Sequence, residues 1–152
     1  MAATLFIRQA RLRDLDGIQE IEDACFGEHG YDRKLFAEYS HKCGELFLVA
    51  VKGRKICGYI LTCIWGRARD RAELISVAVA PRYRGKGVAT ALMDAILRRI
   101  RRRKVARFYL MVKVTNSAAI AMYEKYGFER RRLVRRYYED GTDGRRMAKY
   151  WN

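Results

Sequence analysis

Apolar and polar positions recur along this chain with two periods, and the periods divide it into strands and helices. Thr4–Ala10 alternates as a half-buried strand does. Asp14 is suited to cap a helix reaching Phe26, with Leu15, Ile18, Ile21, Glu22 and Cys25 at helical spacing. Leu35, Phe36 and Tyr39 mark a shorter helix over Tyr31–Lys42. Glu45–Val51 is apolar and β-branched, Lys52-Gly53-Arg54-Lys55 turns the chain, and Ile56–Trp65 returns it as a hairpin. After the turn Gly66–Asp70, Arg71–Val79 predicts a strand that Pro81 ends. Val88, Leu92, Ala95, Ile96 and Ile100 form the stripe of a helix continuing to about Arg103. Arg107–Val112 predicts a strand. Asn116-Ser117 opens a helix that closes at Tyr126-Gly127, with glycine at the position after the cap. Phe128–Tyr138 and Arg145–Trp151 are the last strands, around Asp140–Gly144. The order βααββ, then βαβαββ, predicts an α/β (α+β) fold with a mixed sheet covered on both faces.

Composition bounds this picture. The 152 residues suit one domain spanning 1–152, and half of them are hydrophobic, so a real core is expected. No apolar run nears the ~20 residues that span a bilayer, and the first residues lack the pattern of a secretory signal; no membrane role and a cytoplasmic location are expected. Cys25, Cys43, Cys57 and Cys63 contain no Cys-x-x-Cys pair, and the only histidines are His29 and His41. Cys57 and Cys63 share one strand-like run without reaching each other. Neither a metal site nor a disulfide is therefore expected, and the cysteines read as reduced core residues. The formal net charge of +15 should attract polyanions such as RNA, the ribosome, acidic proteins or phosphorylated cofactors. Much of that charge lies in Arg98–Lys104, at a helix C-terminus where cations suit the dipole. More lies in Arg130–Arg132 with Arg135-Arg136, interleaved with Leu133, Val134, Tyr137 and Tyr138 as one face of a strand.

The most informative stretch is Arg84-Gly85-Lys86-Gly87-Val88-Ala89, between the run Leu74–Val79 and the helix that follows. The first N–H groups of a helix lack partners and its dipole favours anions there. Two glycines allow close backbone approach, and Arg84 and Lys86 add cations. The stretch reads as a phosphate cradle. It is neither a Walker loop nor a dinucleotide fingerprint.

A second segment lies one helix and one strand further on, Asn116-Ser117-Ala118-Ala119-Ile120-Ala121-Met122-Tyr123-Glu124-Lys125-Tyr126-Gly127-Phe128. Together the two segments resemble the GNAT superfamily of N-acetyltransferases. Arg84, Gly87 and Ala89 fill its Gln/Arg-x-x-Gly-x-Gly/Ala pattern. The similarity is greatest to bacterial N-terminal alanine acetyltransferases of ribosomal proteins. These share the asparagine-helix segment and the turn Tyr137-Tyr138-Glu139-Asp140-Gly141, followed by a strand with Met147. The resemblance implies a mostly antiparallel sheet of about seven strands flanked by four helices, and acetyl-CoA as donor. It implies a pantetheine arm along Val77, Ala78 and Val79, with Asn116 bonding that arm. The pyrophosphate would lie on the amides of Arg84, Gly85, Lys86, Gly87, Val88, Ala89 and Thr90. A helix N-cap with no ligand is the other reading of Asn116.

In such a reaction a neutral amine attacks the thioester, an oxyanion develops and a thiolate leaves. By the resemblance, a backbone N–H at the end of Val77–Val79 stabilises the oxyanion and Tyr123 is the general acid. From spacing alone, Tyr123 reads equally as a core residue with Ala119 and Tyr126. The ribosomal-alanine enzymes carry a glutamate where this chain has Met111, in Leu110-Met111-Val112-Lys113. Methionine cannot take a proton. Glu73, six residues ahead of Val79, matches the base of other branches; its alternative is a surface carboxylate paired with an arginine, and a water relay to bulk solvent is the remaining option for the base. The expected activity is acetyl transfer to a primary amine, most readily a protein N-terminus. Its α-amine, with a pKa of about 7.7–8.0, is partly neutral where lysine is not. Small-molecule amines or lysine are alternative acceptors, and an RNA- or ribosome-binding module that retains CoA is an alternative of another class. On oligomeric state, monomer or homodimer, the sequence is silent.

Overall fold

The structure is a computed structural model and describes residues 4–151. Its strands are β1 (Leu5–Gln9), β2 (Phe47–Lys52), β3 (Lys55–Trp65), β4 (Arg71–Val79), β5 (Arg107–Lys113), β6 (Glu129–Val134) and β7 (Gly144–Tyr150). Its α-helices are α1 (Leu15–Phe26), α2 (Arg33–Cys43), α3 (Val88–Arg102) and α4 (Ser117–Lys125). The strands form one sheet in the order β1-β2-β3-β4-β5-β7-β6. The β1–β2, β2–β3, β5–β7 and β6–β7 pairs are antiparallel, and β4–β5 is parallel. Seven strands and four helices in this mixed, mostly antiparallel arrangement are the architecture expected from the sequence.

Two compact units share the chain, one of residues 1–63 and 75–103, the other of residues 64–74 and 104–152. In the first, β2 is buried at five of six positions because both its faces meet apolar partners. Phe36, Phe47 and Tyr59 pack edge-on or tilted, with ring centres 5.5–6.2 Å apart, and Leu15, Ile18 and Ile21 of α1 join them. Asp14 precedes α1, but its side chain does not cap it. The carboxylate instead accepts from Arg8 at 2.7 and 2.9 Å and from the Arg11 N–H at 2.7 Å. Asp32 does cap α2, accepting from the Leu35 N–H at 2.9 Å, so that helix starts two residues later than its pattern predicts.

One expectation is overturned in this unit. Cys43, at the end of α2, and Cys63, in β3, form a disulfide with Cα atoms 5.2 Å apart. Only Cys25 and Cys57 are free among the described residues. The reasoning that excluded a bridge weighed two cysteines on one strand. The actual pair joins a helix end to a strand, and a period within one element says nothing about that.

The second unit packs Phe108 of β5 against Phe128 and Trp151, at 5.2 and 6.5 Å between ring centres. Here β6 ends at Val134, four residues short of the predicted strand. Arg136 has a φ of 53°, and its N–H donates to Asp143 at 2.9 Å. This places Arg135, Arg136, Tyr137 and Tyr138 in the turn before β7 rather than on a strand face.

Candidate active site

The cradle is built within the first unit. Ala80 N–H donates to the Cys57 carbonyl at 2.8 Å, fixing the exit of β4 beside β3. Gly58 lets α3 close over that exit: a Cβ there would stand 2.9 Å from the Ala78 carbonyl oxygen and 3.1 Å from Val88 Cγ1. Gly85 and Gly87 have φ of 74° and 80°, a region costly for residues with a Cβ. Gly87 is the N-cap of α3 and, having no side chain, makes no side-chain cap bond to the helix. Above both glycines the space is open. The sequence-predicted segment Val77–Thr90 therefore forms a strand end, a loop with two glycines at positive φ and a helix N-terminus capped by glycine, the arrangement that receives an anion.

The cations of the loop behave differently from expectation. Arg84 folds back, donating through Nε to the Val79 carbonyl at 3.3 Å and through a terminal nitrogen to Cys25 Sγ at 3.2 Å. Cys25 in turn donates to the same carbonyl at 3.5 Å. Arg84 thus fixes the end of β4 to α1. Lys86 and Arg82 both lie over the Tyr83 ring, at 5.9 and 5.4 Å. A separate groove of about 870 Å³ in this unit, whose lining includes Arg8, Asp14, Ile56 and Tyr83, contains none of the predicted site residues.

The remaining candidates lie in the second unit. Asn116 accepts from the Ala119 N–H at 3.1 Å, so its carboxamide oxygen caps α4. Tyr123, one turn and a half along α4, is 5% exposed, with its ring 5.8 Å from that of Phe128. Burial, and secondarily the nearby Tyr138, push its hydroxyl well above the ordinary tyrosine range, so it holds its proton at neutral pH. Glu73 is half-buried and ion-paired to Arg146 at 3.5 Å, while Arg146 lies 4.7 Å over the Tyr109 ring. Met111 pairs with Arg146 across β5–β7, and its sulfur would be 2.9 Å from a Cβ on Gly144, where Tyr137 also closes in. Lys113 joins β5 to the turn before β7: it donates to Asp140 at 2.9 Å and lies 5.2 Å over the Tyr138 ring.

The family is decided by comparison with known proteins. The pattern of the acetyltransferase (GNAT) family matches residues 15–128, which include the cradle and the asparagine helix. The chain belongs to the GNAT acetyltransferase family. It is an N-acetyltransferase, and acetyl-CoA is its acetyl donor. An N-alpha-acetyltransferase of Saccharolobus solfataricus is 34% identical over 94% of this chain and 91% of its own length. The [ribosomal protein bS18]-alanine N-acetyltransferase of Escherichia coli is 40% identical over 52% of this chain and 53% of its own length. The crystal structure of Ard1 from Thermoplasma volcanium superposes with a TM-score of 0.91 at 28% identity, covering 97% of this chain and 98% of that one.

Sequence reasoning missed a buried cluster around Glu22. This residue sits in the apolar stripe of α1 at 2% exposure, and its carboxyl accepts from the Tyr59 hydroxyl and, at 2.8 Å, from the Tyr31 N–H. The signal was available: an acid among apolar residues at core spacing needs hydrogen-bond partners inside.

Proposed function

We propose that this GNAT enzyme acetylates protein N-termini, by direct attack of the α-amine on acetyl-CoA. One observation carries the donor half of this reading. β4 leads into Gly85 and Gly87 at positive φ and then into a helix whose N-cap is glycine. In this assignment the pyrophosphate rests on the amides of Arg84–Thr90. The pantetheine amides pair with Val77–Val79, and the parallel register of β4 with β5 runs only from Arg71 to Glu73, ahead of those residues. A backbone N–H at the end of Val77–Val79 meets the developing oxyanion. Asn116 contributes its amide nitrogen to the arm while its oxygen caps α4.

For the leaving thiolate the acid is Tyr123, a role taken from the family match; burial keeps its proton on but also makes the phenol a weaker acid. The proton leaving the ammonium needs an acceptor. Glu73, on the strand leading to the cradle, is the half-exposed candidate that the resemblance implies, but its ion pair with Arg146 already engages it and disfavours it as the acceptor. Support for an α-amine acceptor comes from the near full-length similarity to an N-alpha-acetyltransferase, and from the amine's pKa of about 7.7–8.0, which asks less of a base than lysine does.

The test is acetyl-CoA turnover against three acceptors: peptides with free N-termini, N-terminally blocked peptides with one lysine, and a polyamine. Turnover is expected with the first, and its absence with every peptide would sink the proposal. The exposed Arg98, Arg101, Arg102 and Arg130–Arg132 favour a second reading, a polyanion- or ribosome-facing module that keeps CoA as a structural ligand. That reading requires Tyr123→Phe to leave function intact.

A further inference from the structure

α1 is fastened to β4 at two points that flank Val77 and Ala78. One is the Cys25 bond to the Val79 carbonyl. The other is a line of side chains: the Tyr59 hydroxyl donates to Glu22 Oε1 and lies 2.7 Å from Ser76 Oγ. Tyr59 is fully buried, Glu22 is 2% exposed, and Ser76 is only half-buried. The line therefore runs inward from a partly exposed side chain of β4 and stops at a carboxyl. Ser76 can donate to Tyr59 while Tyr59 donates to Glu22, the order a proton needs to travel inward. Glutamine would fill the same volume and still accept the Tyr31 N–H, so packing alone does not call for an acid here.

We propose that Ser76, Tyr59 and Glu22 are the proton outlet of the acetyl-transfer site, an assignment that rests on the donor lying along Val77–Val79. The acceptor's ammonium gives a proton to Ser76 Oγ as the Ser76 proton moves to Tyr59 Oη and the Tyr59 proton moves to Glu22. Three bonds to hydrogen break and three form; the positive amine and the negative carboxylate both become neutral. After the product leaves, the reverse passage returns the proton to water at Ser76. Tyr59 must accept and donate in one step, because burial first and the Glu22 charge second hold its hydroxyl far above the ordinary tyrosine range. Burial also raises Glu22 above the usual carboxylate range. The hydrogen bonds from Tyr59 and Tyr31 pull it partly back, and the Asp23 charge on the same helix adds to the rise. That moves it toward the working range of a general base. Around Glu22, Asp23 comes from α1, Tyr31 from the segment between α1 and α2, Tyr59 from β3 and, beyond it, Ser76 from β4. Glu22 acts only through Tyr59 and Ser76, so it is a positioning residue for the proton.

The experiment is the pH dependence of kcat/KM for a peptide with a free N-terminus, in wild type, Glu22→Gln, Tyr59→Phe, Ser76→Ala and Glu73→Gln. Tyr59→Phe keeps a ring against Phe36 and Phe47. Each relay variant should lose about 100-fold in kcat/KM with acetyl-CoA affinity unchanged. Glu22→Gln combined with Tyr59→Phe should be no slower than either alone, since both interrupt one path. In wild type the ammonium binds and only Glu22 must already have lost its proton, whereas in Glu22→Gln the amine itself must be neutral, so the low-pH limb keeps its slope but its midpoint moves up toward the amine's value of about 7.7–8.0. Glu22→Gln within about threefold of an active wild type overturns the relay alone. So does an unchanged low-pH midpoint, or the same upward move in Glu73→Gln instead. A wild type inactive on every amine overturns the acetyltransferase reading and the relay with it.

Discussion

Tyr123 shows how one residue takes two meanings from different evidence. Its spacing along α4 is that of a core residue, and it is indeed buried against Phe128. The same burial keeps its phenol protonated but also makes it a weaker acid than an ordinary tyrosine, so its role toward a leaving thiolate rests on the family match and not on the shift. Tyr123→Phe should lower kcat about 100-fold while CoA binding, measured by calorimetry, stays unchanged. If CoA binding fell as well, the residue's role would be packing. Gly87 gives a second prediction at this scale. With φ of 80°, an added Cβ costs about 1–2 kcal/mol, so Gly87→Ala should raise the KM for acetyl-CoA without changing the acceptor KM. Both residues were legible in the sequence as motif positions. Arg84 was legible as a motif position and a cation of the loop, but its contacts were not. That its guanidinium turns back onto Val79 and Cys25 depends on where α1 ends in space, which local pattern does not reveal.

At the scale of elements, the alternating and helical periods of the chain predict nearly every strand and helix to within a few residues. The misses have tertiary causes. β6 ends early because Asp143, nine residues past Val134, binds the Arg136 N–H and curls the chain. The Cys43–Cys63 bridge ties α2 to β3 across a sequence separation of 20. Reducing it should cost about 3 kcal/mol, read as a lower melting temperature in reductant that Cys43→Ser reproduces without reductant. Equal melting temperatures in oxidant and reductant would mean the bridge contributes nothing. The arginine run of α3 is also less uniform than its sequence implies. Arg103 is ion-paired to Glu45 and Arg99 donates to the Glu45 carbonyl at 3.0 Å, so part of the run fastens the helix end to the approach to β2.

For the molecule as a whole, acid stability should follow from Asp14. Burial alone would raise this carboxyl. The hydrogen bond from Arg8, the Arg11 N–H and the Arg8 charge outweigh burial and leave it below its ordinary value. Its contribution is therefore complete above the unfolded value, about 3.9, and is lost as pH falls through the lowered native one. Arg8→Met should move acid unfolding to higher pH, followed by circular dichroism; an unmoved midpoint would show the pair to be idle. The net charge of +15 predicts that any polyanion binding weakens steeply with salt. It does not choose an acceptor, and neither does the fold, which serves many amines. The chemistry of the acceptor decides between them. One unblocked peptide carrying both a free N-terminus and an internal lysine, incubated with acetyl-CoA and fragmented by mass spectrometry, poses that choice within a single molecule. The account predicts acetyl on the α-amine with the lysine unmodified; acetyl on the lysine with a free N-terminus would contradict it.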